Sequence, residues 1–139
     1  GYVAIHVRRG DISEDRPYGR FTPNRVYATL LPLLAERHPG LPIVIFSQGS
    51  PADFGELTGL ASPGTATPSL DVRLCLNGSI RTTFHALVCA TALVVARSSF
   101  SYSAALLSEG TVYSDLITDW WHKPLPEWKQ AVAQAEGKA

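Results

Sequence analysis

The chain has 139 residues, of which 45% are hydrophobic, and its twelve Lys and Arg balance twelve Asp and Glu. That is enough chain for one ordinary domain with a real core. A formal net charge of zero gives no support to a non-specific nucleic-acid binder or a membrane-surface binder, so any anion site has to be local. No apolar run is long enough to span a bilayer, and no signal peptide is recognisable.

The first element is "YVAIHV" (Tyr2 to Val7), rich in β-branched residues and read as a strand. It opens so close to Gly1, with no initiating Met, that a piece cut from a longer protein is expected. Two adjacent arginines, Arg8 and Arg9, follow it and lead into a loop of Gly, Pro and mixed charge up to Thr22. Adjacent guanidinium groups repel, so they need either a structural partner or an anionic ligand. Pro23 stands near the start of a predicted helix through His38, with Val26, Leu30, Leu33 and Leu34 at helical spacing. Pro32 is expected to kink or divide it.

"LPIVIFS" (Leu41 to Ser47) is apolar throughout and reads as a strand buried on both faces. A short helix follows, with Ser50 as cap and Pro51 as first residue, and then a turn-rich loop "LASPGTATPS". "DVRLCL" reads as the third strand and "SIRTTFHALVCAT" as a helix capped by Ser79. Ala92 to Ala96 is the fourth strand, and "SFSYSAALLSEG" is a helix expected to stop at Gly110. Thr111 to Tyr113 is a short fifth strand, and the tail ends in a predicted helix. Cys75 and Cys89, in apolar surroundings without CxxC spacing, are expected to be two reduced, buried thiols.

Strand–helix alternation over this length predicts an α/β fold with a doubly wound parallel sheet, Rossmann-like in order, with the first strand beside the fourth. Ligands of such sheets bind at the carboxyl ends of the strands, where the strand order reverses. That brings "RRGD" and "ARSSFS" to one crevice, and the second loop runs into a helix N-terminus that favours an anion. Arg8 and Arg9 opposite Ser98, Ser99 and Ser101 are therefore a candidate diphosphate cradle. The alternatives are surface arginines paired with Asp11, Glu14 and Asp15, and a hydrogen-bonded core histidine at His6. There is no Walker motif, GxGxxG, GxSxG elbow or DxD in the chain. His85, on an apolar helix, is read as structural, and Trp120, Trp121 and Trp128 as packing the tail across the core.

"HVRRGD" at His6 to Asp11, with "SSFSYSAALLS" at Ser98 to Ser108, resembles the GDP-fucose-dependent fucosyltransferases, the superfamily of α1,2-, α1,6- and protein O-fucosyltransferases. "TTFHALVCATALVVARSSFSYSAALLSEG" is similar to the second half of that family's nucleotide-binding domain, and "WWHKPLPEW" resembles the end of fucosyltransferase-like proteins. The resemblance implies one donor-binding, Rossmann-like domain over residues 1–139, the C-terminal half of a GT-B glycosyltransferase whose acceptor-binding domain would precede Gly1. It implies a nucleotide-sugar donor, GDP-fucose first, metal-independent transfer with no cofactor, and a glycan or protein acceptor. If the source is eukaryotic, it implies the Golgi or another secretory compartment.

Residue by residue, the resemblance makes Arg8 the phosphate contact. His6 would line the nucleotide-sugar pocket, Arg9 and Asp11 would complete the motif, and Ser98, Ser99 and Phe100 would form the phosphate-contacting turn. Glu14 and Asp15 are the candidate bases. The resemblance departs at Thr83, which stands where family members often carry an aspartate reading the guanine edge. A threonine cannot accept two N–H bonds as a carboxylate does. The departure keeps open a non-catalytic nucleotide- or glycan-binding module and a nucleotide-sugar transferase using another base.

Overall fold

The structure, a computed structural model, describes residues 1–10, 21–59, 70–117 and 122–132. Asp11, Glu14, Asp15, Trp120, Trp121, the 60–69 loop and most of the predicted tail helix lie outside the described residues. In chain order the elements are β1 (Val3–His6), α1 (Asn24–Arg37), β2 (Ile43–Ser47), a 3₁₀ turn (Pro51–Phe54) and α2 (Gly55–Thr58). They continue with β3 (Val72–Leu76), α3 (Ile80–Cys89), β4 (Ala92–Val94), α4 (Ser99–Leu107), β5 (Thr111–Tyr113) and a second 3₁₀ turn (Asp115–Ile117).

The five strands form one sheet in the order β3-β2-β1-β4-β5, every pair parallel. This is the expected Rossmann-like arrangement, with β1 central and paired to β4 from Val3↔Ala92 to Ile5↔Val94. Side-chain parity then sorts the strands into two cores. Val3 and Ile5, with Val7 just beyond β1, join Ile43 and Ile45 of β2 and pack against Tyr27, Leu30, Leu31 and Leu34 of α1. Ala4, Phe46, Leu93 and Val112 face the other way, onto Leu87 of α3 and Ala104 and Ala105 of α4. His6 shares the parity of Ala4, and so looks into the α3/α4 layer.

Several expectations change in detail. Helix α1 runs unbroken through Pro32, which sits on its exposed face. An exposed proline costs the helix the hydrogen bond its nitrogen cannot donate but takes no side chain out of the core. Helix α4 stops at Leu107, where Ser108 turns the backbone to an extended conformation, three residues before Gly110. Gly110 serves close approach instead: a Cβ there would overlap the carbonyl oxygens of Ala90 and Thr91, where β5 comes in beside β4.

Both cysteines are exposed rather than buried. β3 is an edge strand whose alternate residues Val72, Leu74 and Leu76 pack on the α1 core, which turns Cys75 to the opposite side. Cys89 lies on the solvent side of the last turn of α3, where its thiol meets the His85 ring at 3.6 Å.

Caps fall where the sequence places them. Ser79 accepts from the Thr82 N–H at the start of α3. Ser50 and Asp53 form a reciprocal capping box, the Ser50 N–H donating to Asp53 Oδ2 at 2.9 Å. No helix among the described residues is long and apolar enough to cross a membrane.

Candidate functional site

Five of the residues singled out in the sequence, Arg9 among them, meet at one place. His6 at the carboxyl end of β1, Arg8 just beyond it, Thr83 in the first turn of α3 and Phe100 in the first turn of α4 line a single cavity of about 200 Å³. The crevice follows from topology: β1 and β4 are neighbours, but their chain extensions run to opposite sides of the sheet. Gln48, which follows β2, and Gly78 and Ile80, which precede and open α3, complete the wall. Ile80 is 79% exposed, a large apolar side chain at the rim.

His6 is the buried member, 7% exposed, with its ring 5.5 Å from that of Phe100. Phe100 in turn meets Phe84 edge-on at 5.5 Å. Loss of solvation drives the His6 imidazole down to about 4, and the Arg8 guanidinium pushes the same way. The ring is therefore neutral at pH 7. Its Nδ1 has no hydrogen-bond partner among the described residues, and an unsatisfied buried polar atom costs about 1–3 kcal/mol. A polar ligand group is the natural way to recover that energy.

Arg9 is held apart from Arg8 by its own contacts. Its guanidinium donates to the Arg8 and Thr22 carbonyls and to Asn24 Oδ1, each at 2.8 Å, and lies 4.2 Å over the Phe21 ring. Arg9 thus has structural partners, and both arginines line the cavity.

The three serines are distributed differently from the expected cradle. Ser98 caps α4 by accepting from the Phe100 N–H, and Ser101 is buried with its hydroxyl accepting from the Ala96 N–H at 3.1 Å. Ser99 is exposed, and its hydroxyl meets His122 Nε2 at 2.9 Å. None of these hydroxyls lines the cavity. What α4 brings to the crevice is the Phe100 ring and the positive end of its dipole.

The Ser99–His122 contact was not anticipated from sequence. It fastens the 122–132 segment to α4, helped by the stacked rings of Tyr102 and His122, 4.6 Å apart, and by Trp128 against Tyr102. His85, an exposed residue bonded to Cys89, stands outside the cavity lining. Asp11, Glu14 and Asp15 cannot be placed, being outside the described residues.

No known family, curated protein or solved structure matches the chain. Among the described residues no three His, Cys, Asp or Glu side chains gather where they could hold a metal ion. Val7, Phe46, Ser47, Gln48, Gly78 and Ile80 are the cavity residues that sequence reasoning passed over. Their signal was positional: they lie at or just beyond the carboxyl end of a strand or at the start of α3, on the ligand side of a parallel sheet.

Proposed function

We propose that the chain is the donor-binding half of a GT-B-type, fucosyltransferase-like glycosyltransferase, transferring a sugar from a GDP-sugar to a hydroxyl of a glycan or protein. What carries the proposal is the convergence of His6, Arg8 and Phe100, from two motifs some ninety residues apart, on one cavity at the strand ends. The acceptor side would come from a further domain, as in the enzymes the sequence resembles.

In the transfer, the acceptor oxygen forms a bond to the anomeric carbon while the bond from that carbon to the diphosphate oxygen breaks, and the electron pair leaves with the diphosphate. Arg8 and the N-terminal end of α4 stabilise the departing charge, with no metal needed for that task. Losing one such donor typically lowers the rate ~10²–10³-fold. Neutral His6 supplies a hydrogen bond to the ligand through its ring. Glu14 and Asp15 are the candidates for taking the acceptor proton.

A second proposal, a nucleotide-binding module without turnover or a transferase tolerant of other bases, draws on Thr83. Thr83 lines the cavity, and it stands at the position where members of the resembled family often carry a guanine-reading aspartate, whose two acceptor oxygens a threonine lacks. Titration calorimetry of GDP into the chain and into Arg8→Ala tests the main proposal. GDP binding weakened at least tenfold in Arg8→Ala is the expected result. Equal binding to both proteins, or none to the folded chain, would overturn it. Equal affinities for GDP, UDP and ADP would favour the second proposal.

A further inference from the structure

A second hollow, about 560 Å³, opens on the far side of Arg9 between the chain following β1, the start of α1 and the turn after β2. Arg9 and Gln48 line both spaces, so the two chambers share a wall. We propose that this hollow receives the sugar of the same donor, with the Glu56 carboxylate accepting hydrogen bonds from its hydroxyls. The proposal rests on the donor-binding reading given above.

Size requires a second chamber. Pockets for ligands of drug size run to roughly 300–1,000 Å³, and the His6 cavity, at about 200 Å³, is too small for a sugar nucleotide alone. Charge decides which part goes where. The described lining of the His6 cavity contains Arg8, the shared Arg9 and neutral His6 and no carboxylate. The second hollow carries Asp53 and Glu56 beside Arg9 and Arg25. Carboxylates repel a phosphate and accept from hydroxyls, so the diphosphate belongs at Arg8 and the polyol beyond Arg9.

Of the two carboxylates, Asp53 is bound to the Ser50 N–H and hydroxyl through Oδ2. Exposed Glu56 makes no hydrogen bond or ion pair with the described residues, and so is available. The dividing wall is firmly built. Arg9 is tied to Thr22 and Asn24, and Asn24 donates to the Asp53 carbonyl at 2.7 Å. Gly10, at φ +84°, lies against the Gln48 amide, where any side chain would be strained and would collide with Oε1.

The test is calorimetric titration of GDP and of GDP-fucose into the chain and into Glu56→Gln, reading the ratio of the two affinities. Expected are tighter binding of GDP-fucose than of GDP to the unchanged chain, and a ratio reduced roughly tenfold or more in Glu56→Gln, with similar GDP affinities for both proteins. GDP-fucose binding no tighter than GDP, or a ratio unchanged by the substitution, overturns the sugar subsite while leaving nucleotide binding intact. Failure of both ligands to bind the folded chain overturns the donor-binding reading and this proposal together.

Discussion

Buried His6 makes the stability of the fold depend on pH in a way that can be isolated. In the folded chain the imidazole stays neutral down to about pH 4, because burial and then the Arg8 charge oppose its protonation. In the unfolded chain it takes up a proton near pH 6.5. Between those values the unfolded state binds more protons, so stability is fully present above about pH 6.5 and is lost as pH falls towards 4. The full gap corresponds to ~3 kcal/mol, of which about 2 kcal/mol is already lost at pH 5. Urea unfolding of the chain and of His6→Gln at pH 7.5, 6 and 5 measures it, because the carboxylates titrate alike in both proteins and cancel in the difference. The chain should lose about 2 kcal/mol more than His6→Gln between pH 7.5 and 5. Parallel pH dependences, or an imidazole that titrates near 6.5 by NMR in the folded chain, would refute the burial account.

Other consequences are quickly checked. Gly110→Ala should destabilise the fold by about 2 kcal/mol, since the new methyl meets the Ala90 and Thr91 carbonyls and backbone cannot move aside cheaply; denaturant midpoints will show it. Both Cys75 and Cys89 should react with a thiol reagent in the native state at rates close to those in denaturant, as their exposure requires. Ser99→Ala should cost ~1 kcal/mol or less, yet raise amide exchange in residues 122–132, which lose the His122 anchor.

The fold was legible because its signals are local. β-branched runs marked the strands, Ser50 and Ser79 marked two helix starts, and alternation of type gave a parallel sheet with β1 beside β4. The misreadings share a different origin: each depends on the neighbour an element receives. Cys75 looks buried in "DVRLCL" until β3 is seen to be an edge strand with one face uncovered. Gly110 looks like a helix stop until β5 is seen to need close approach to the carbonyls before β4.

The site divides in the same way. The strand-end rule picks out Arg8, while His6, Thr83 and Phe100 were singled out through the family resemblance; all four line one cavity. Ser98 and Ser101 each accept a hydrogen bond from a backbone N–H of their own turn, a local use of the hydroxyl that the serine-rich pattern alone does not reveal. Arg9 is fixed to Thr22 and Asn24, residues whose nearness to it depends on how the chain returns to start α1.

The central claim is one of place: a nucleoside diphosphate binds where β1 ends and α3 and α4 begin. Amide chemical-shift mapping of GDP titrated into the chain measures that directly. The account predicts saturable shifts centred on Val7, Arg8, Gly78, Thr83 and Phe100, all lining the His6 cavity. Saturable shifts centred anywhere else, or none at millimolar GDP, would contradict it.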